Sequence, residues 1–527
     1  MLFQRTVAGT SPYALRTTSS ELIPTPMVSP MATHPNSFIP MAPSVRPQAP
    51  SYDPTVQMGP IKGQMILLEF NELSPALMET FIDQGYLPNF KRLRDSSQVF
   101  ITDAEEAAPN LEPWIQWVTV HSGLSFDQHG IYHLGEGHKL AVKSLWDMIG
   151  ATGKTVWVCG SMNIKYDEPL PGAAVPDPWS VGTSPYPDEL APYYLFVQRN
   201  VQEYTNDKVP LSKGDYFRFL KFMLARGLSA HTINSIFQQL LSERRTGKGR
   251  WKRATILDKL QRDVFLHYFR KLRPAFSTFF LNSTAHFQHV HWRNMDPEPF
   301  KIKPSDTDRA EYQHAVRYGY EEMDRIVGDI LAAAPSNAVV VLSTALSQQP
   351  CLTYEDIGGK TFYRPRTFEP LLEFAGITRC QRVDPVMSEQ FHLRFGSDAD
   401  AIDAASRLQA LRIDGREAMT VERREANVFS GCKVFSTLDH DVVLEGGANG
   451  QSIPFFRLFY QVESLKSGMH HPDGILWMRV PGATPTVRRE KVSLRDVPPT
   501  ILSMFGIETP EYMTGSVLPV GASIART

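Results

Sequence analysis

Residues 65–93 read MILLEFNELSPALMETFIDQGYLPNFKRL. The first six, Met65-Ile66-Leu67-Leu68-Glu69-Phe70, form an apolar run broken by one carboxylate, and polar Asn71 and Glu72 follow at once. An apolar run of this length fits a strand buried in a parallel sheet that exits through polar residues at its carboxyl end. Ser74-Pro75 then opens a helix, with serine as its cap and proline at the first helical position, and Gly85 ends it.

The same alternation runs outward from this unit. Residues 97–102, 155–159, 275–281, 338–342 and 474–478 read as strands, the last of these closing the series. Residues 113–121, 143–149, 308–334 and 493–505 read as helices. In 308–334 the stripe Tyr312, Val316, Tyr320, Met323 and Ile326 keeps helical spacing. Strands alternating with helices over this distance predict an α/β fold, a mostly parallel sheet covered on both faces. Two stretches break the rhythm: 160–270 is largely helical, aromatic and basic, and 351–465 is mixed with antiparallel strands. Both are expected to be insertions capping the carboxyl edge of the sheet, where α/β proteins place their sites. The folded domain is expected at 63–525. A leader at 1–62, rich in Pro, Ser, Thr and Met, reads as disordered.

Composition narrows the function classes. A chain of 527 residues, 42% of them hydrophobic, can bury a large core. Its net charge of −2 makes no electrostatic case for nucleic acid as the main partner. One basic run, Arg244, Arg245, Lys248, Arg250, Lys252 and Arg253 around Trp251, reads either as a solvated loop or as a patch steering an anionic substrate. The cysteines Cys159, Cys351, Cys380 and Cys432 show no CxxC spacing, so free thiols in a reducing compartment are expected. No apolar stretch reaches the ~20 residues of a membrane span. No secretory signal is evident, and Arg5 and Arg16 are thin support for a transit peptide, so a cytoplasmic location is expected.

Several segments, taken in order, carry a resemblance. They are SPALMETFIDQGYLPNFKRL (74–93), WVTVHSGLSFDQHGIYH (117–133), FFLNSTAHFQHVHWRNMDP (279–297), YGYEEMDRIVGDIL (318–331) with VVVLSTALS (339–347), GMHHPDGILWMRVPG (468–482) and SLRDVPPTILSMFGIETPEYMTGSVL (493–518). Together the chain resembles the alkaline phosphatase superfamily, above all its type I phosphodiesterase/nucleotide pyrophosphatase and phosphoglycerate-mutase-like branches. The resemblance implies an alkaline-phosphatase-like sheet. It also implies a site at the carboxyl edge with two divalent ions, usually zinc, and a Thr or Ser nucleophile at a helix N-terminus.

The departures fall on that chemistry. The family's opening Asp falls at Asn71, flanked by Glu69 and Glu72, of which Glu72 lies beyond the strand and is better placed to face the cleft. The nucleophile position is Pro113, which leaves a carboxylate nucleophile at Glu112, with Asn110 beside it, or direct attack by water. The family's metal Asp falls at Ala285, and its Asp-His pair at Thr344 and Ala345, so three ligands are lost. His289 and His470 match retained family histidines, with His286 or His291 able to compensate. One divalent ion, zinc or manganese, can still be held by His289, His470 and a nearby carboxylate, Glu69 among them. Trp114, Gln116 and Gln348 are the expected substrate contacts, and Glu112, Glu72, Asn110 and Asn71 the expected catalytic group.

Three functional readings stay open. The chain is a hydrolase or transferase of a small anionic phosphate or sulfate ester using one metal; a metal-independent enzyme using carboxylate and histidine acid–base chemistry; or an inactive ligand-binding protein.

Overall fold

The computed structural model describes residues 60–520 other than 181, 206–210, 387–388 and 463–464. Most of the expected leader therefore lies outside the described residues. An eight-stranded sheet organises the rest: β1 (Met65–Phe70), β2 (Gln98–Asp103), β3 (Val156–Cys159), β4 (Gly172–Val175), β5 (Phe276–Leu281), β6 (Val339–Ser343), β7 (Asp473–Arg479) and β8 (Thr486–Ser493). Their order across the sheet is β8-β2-β7-β6-β1-β5-β3-β4. All neighbours run parallel except β7, which is antiparallel to both β2 and β6. β8 follows the strand expected to be last. Its sequence, TVRREKVS, is charged because it is an edge strand, and an edge does not need the apolar run that betrays a central one.

The labelled helices are α1 (Pro75–Asp83), α2 (Pro113–Ser122), α3 (Ala191–Thr205), α4 (Lys213–Ala225), α5 (Ala230–Thr246), α6 (Ala254–Leu272), α7 (Ser283–Met295), α8 (Ala315–Ala333) and α9 (Val497–Met504). They cover both faces of the sheet. Ile66, Leu68 and Phe70 point from β1 into one core with α1, α6 and α8, whereas Met65 and Leu67 point into the other with α2 and α9. Each large apolar side chain removed from water contributes about 1.5–3 kcal/mol, which is why β1, buried throughout, anchors the sheet. The single helix expected over 308–334 is two, Asp306–Tyr312 and α8, interrupted at Gln313 and His314.

Residues 160–270 hold β4 and α3 to α6. Within 351–465 four antiparallel strands, Met419–Arg424, Asn427–Cys432, Gln390–Arg394 and Arg382–Pro385 in spatial order, pack on the helices Phe368–Ala375 and Asp398–Ala410 around a core of their own. All four cysteines are free thiols, and only Cys380 is not buried. Among the described residues no helix is long and apolar enough to cross a membrane.

Candidate active site and metal centre

The carboxyl ends of β1, β5 and β6 lie side by side, and the chain leaves each of them into the same cleft. β1 exits into Asn71 and Glu72, and β5 into Asn282 and α7, which carries His289. β6 leads through Thr344 into a short strand, Ser347–Pro350, that pairs antiparallel with Gly468–His471 just before β7. In that pairing Gln348 sits directly opposite His470. Glu112 arrives from β2, at the N-cap of α2.

Three of these side chains converge. Glu72 Oε2 lies 3.0 Å from His289 Nε2 and 3.4 Å from His470 Nε2. Among the described residues, ligand atoms of Glu72, His289 and His470 all lie within 4.8 Å of one another, and none of the other acidic, His or Cys side chains forms such a group. His470 also reaches Glu112, with its Nδ1 3.5 Å from Oε2. The imidazole thus lies between two carboxylates.

Each member is braced from behind. His289 Nδ1 is 3.1 Å from the Gly468 carbonyl, which only accepts, so Nδ1 carries the proton and Nε2 is turned to the cleft. Gln348 Nε2 donates to Glu72 Oε2 at 2.5 Å and to the Ala285 carbonyl at 3.0 Å. Asn71 donates to Glu72 Oε1 at 2.7 Å and to Asn282 Oδ1 at 2.7 Å, while its own oxygen accepts the Trp117 indole at 2.8 Å. Because an indole N–H only donates, this contact fixes the orientation of the amide.

The backbone of Glu72 is held in an unusual state, with φ 60. A left-handed conformation at a non-glycine residue costs on the order of 1–3 kcal/mol and persists only where its surroundings impose it. Gln288 Nε2 donates to the Glu72 carbonyl at 2.7 Å, Tyr320 Oη donates to Gln288 Oε1 at 2.8 Å, and the Ser74 amide donates to Tyr320 Oη at 2.7 Å. Gln288 and Tyr320 are both buried; Gln288 was not singled out in the sequence, and Tyr320 was read there only as a member of a helical stripe. A glutamine in the middle of a buried helix face, between His286 and His289, was the available signal.

The electrostatics follow from this packing. Burial alone would raise the Glu72 carboxyl, but His289 and His470 outweigh it and drive the group well below the usual carboxylate range. Burial pushes Glu112 up, opposed in part by His470 and Lys466. Burial would lower His470, yet Glu112 and Glu72 together raise it. Lys466 supplies a positive charge within reach of both Glu112 and His470, and Lys360 stands near Lys466 and Glu112.

Other expected site residues are placed elsewhere. Glu69 points to the opposite face of the sheet, in step with Met65 and Leu67, and pairs with buried His121 at 2.9 Å; the carboxylate with the two histidines is Glu72. Asn71 and Gln348 are buried, and the Asn71 amide and Gln348 Nε2 donate to Glu72, while Gln348 Oε1 has no hydrogen-bond partner among the described residues. The Asn110 side chain bonds Glu106, and its carbonyl accepts from Gln116 at 3.1 Å. Gln116 is buried, and the Trp114 indole donates to the Tyr132 carbonyl at 2.9 Å. The partners of these three lie outside the cluster: Trp114 and Gln116 sit on α2, which is buried along almost its whole length, and Asn110 in the turn before it. Thr344 accepts the Ile475 amide, His471 accepts the Asp473 amide, and His291 stacks on Tyr312.

No protein-family model matches the sequence, and no curated protein matches it. Among solved structures the chain is similar to a phosphonoacetate hydrolase from Sinorhizobium meliloti 1021 in complex with phosphonoacetate, at 13% identity over 84% of this chain and 95% of that one, TM-score 0.38. It is similar to wild-type alkaline phosphatase PafA at 10% identity over 88% and 100%, TM-score 0.43. It is also similar to murine ectonucleotide pyrophosphatase/phosphodiesterase 5 at 8% identity over 86% and 97%, TM-score 0.40. At that distance no activity carries over. What the structure shares with the expectation from the ordered sequence motifs is the fold: a mostly parallel α/β sheet covered on both faces, with Glu72, His289 and His470 gathered beyond the carboxyl ends of its strands.

Proposed function

We propose that this protein is a hydrolase or transferase of a small phosphate or sulfate ester, holding one divalent cation, zinc or manganese, through Glu72, His289 and His470. The geometry of the three ligands carries this reading. Two donors at about 2.0–2.2 Å from one cation and at a tetrahedral angle stand about 3.4 Å apart, and Glu72 Oε2 lies 3.0 and 3.4 Å from the two imidazole nitrogens. The donor set fits as well, since two imidazoles and one carboxylate suit either metal and leave a position open. Gln348, Asn71 and the Gly468 carbonyl supply the outer hydrogen bonds that metal ligands need in order to stay oriented.

When bound there, the cation would neutralise charge on the transferred group and polarise its oxygens. The chain's own residues supply the rest. Glu112, raised by burial, is suited to hand a proton to a leaving oxygen or take one from water. Lys466 offers a positive charge toward the same space, as an anionic substrate requires.

A second reading has its own observation. The separations around Glu72 also fit direct hydrogen bonds to His289 and His470, so a Glu72–His470–Glu112 relay can run acid–base chemistry without metal. Elemental analysis of the purified protein separates the two. About one zinc or manganese per chain is expected, lost in His289→Ala, with turnover of p-nitrophenyl phosphate, its diester or the sulfate restored by metal after chelation. Metal-free protein that still turns over supports the relay. Protein with neither metal nor turnover is a ligand-binding protein.

A further inference from the structure

Residues 213–253 carry ten basic and two acidic side chains, a formal +8 in a chain whose net charge is −2. Both acids are already engaged: Asp215 pairs with Arg199 at 3.1 Å and Arg218 at 2.5 Å, and Glu243 with Arg253 at 2.5 Å. Lys213, Lys221, Arg244, Arg245 and Lys248 are exposed, with no ion pair among the described residues.

The same segment is unusually apolar outside. α4 already buries Phe219, Phe222 and Met223, and Phe219 stacks on Phe196 of α3 at 3.8 Å. Its opposite face nonetheless presents Phe217, 69% exposed, Leu220 and Leu224, 62% exposed, at helical spacing. α5 adds Ile233 and Phe237, 60% exposed, four residues apart. Five of the thirteen exposed large apolar side chains among the described residues fall between 217 and 237. On α4 the cations Lys213 and Lys221 lie on the same outward face as the apolar three.

We propose that this face, centred on Phe217, Leu220, Leu224, Lys213 and Lys221, docks on an anionic lipid surface. Exposed Phe and Leu interleaved with cations match a layer that offers phosphate charge above and hydrocarbon beneath. A phosphate backbone would meet the charges but leave the apolar side chains wet. A second copy would bring another +8 against the first. The inference stands independently of the metal site, and it concerns peripheral binding rather than a span.

Co-sedimentation of the full chain with phosphatidylcholine vesicles, with and without phosphatidylserine, tests it. The wild type pellets with the anionic vesicles at low salt and stays in solution with the neutral ones. Phe217→Ser/Leu224→Ser and, separately, Lys213→Glu/Lys221→Glu each reduce partitioning about tenfold or more, with the thermal midpoint unchanged because these side chains are exposed. A wild type that ignores anionic vesicles overturns the proposal, as do variants that bind as well as wild type. A dimer dissolved by Phe217→Ser/Leu224→Ser assigns the face to a second copy. Binding of a polyglutamate peptide without vesicle binding assigns it to an acidic protein.

Discussion

The site turns on Glu72 and on how little room surrounds it. Strand parity separates it from Glu69: in β1 the even and odd positions face different cores, and Glu69 shares its side with Met65 and Leu67. Sequence placed both carboxylates near the cleft, but the partner that claims Glu69, His121, lies 52 positions away and no local pattern points to it. His289 and His470 were legible because their motifs keep fixed spacings. Gln288 was not, and Tyr320 was legible only as part of a helical stripe, since hydrogen bonds between buried polar groups leave no periodic trace. Gly468 shows how tight the supports are. A Cβ there would meet Gln348 Oε1 at 2.3 Å and the Gln288 carbonyl oxygen at 2.6 Å, and the second of these, being backbone, cannot swing aside. Gly468→Ala is therefore expected to disturb Gln348 and the carbonyl that orients His289 together. Loss of such outer bonds typically weakens metal binding about 10–100-fold. Competition against a chromophoric zinc chelator reads the effect, and unchanged affinity would remove Gln348 and Gly468 from the metal's support.

At the scale of elements, the strand 390–394 and its neighbour 427–432 meet the loop before the short 3-10 turn Gly137–Lys139 through a pair of histidines. His133 and His392 stand edge to face at 5.0 Å, and Phe429 packs on both, at 4.4 and 4.8 Å. Desolvation lowers His133 to about 4 and His392 to about 3. Glu136 and Asp384 pull upward, while Arg424, Lys139 and Arg394 push the other way. Both imidazoles are thus neutral when folded and take up protons first in the unfolded chain, from an ordinary value of 6.5. Their contribution to stability is complete above that value and is lost as pH falls from it toward 4. Hydrogen exchange should show this locally: amides of 390–394 and 427–432 lose protection between pH 6.5 and 4.5, ahead of those in β1. Uniform loss across the sheet would mean that the contact does not govern the cap. Sequence reading found the mixed character of 351–465 but not this contact, because His133 and His392 are far apart in the chain and no local pattern links them.

For the whole molecule, apolar runs made the central strands legible, while charged β8 and the break between 306–312 and α8 were hidden by composition that no period captures. The pH dependence of global stability tests how the parts add. Asp258, on α6, is buried, and burial raises its carboxyl from 3.8 to about 7, eased by the Ser283 hydroxyl and by Lys259 and reinforced by Glu322. This shift has the opposite sign to that of the histidines. The folded chain holds the proton that the unfolded chain has released, so Asp258 costs stability progressively as pH rises from about 4 to 7. Over that window the two effects partly cancel in the wild type. Asp258→Asn keeps an oxygen that can accept from Ser283 but removes the titration. Urea unfolding should then show little change at pH 4 and a gain on the order of 4 kcal/mol at pH 7, with stability climbing more steeply in between as the histidine contribution acts alone. Equal destabilisation at both values would mean that the carboxyl is required as built, and that burial does not hold Asp258 protonated.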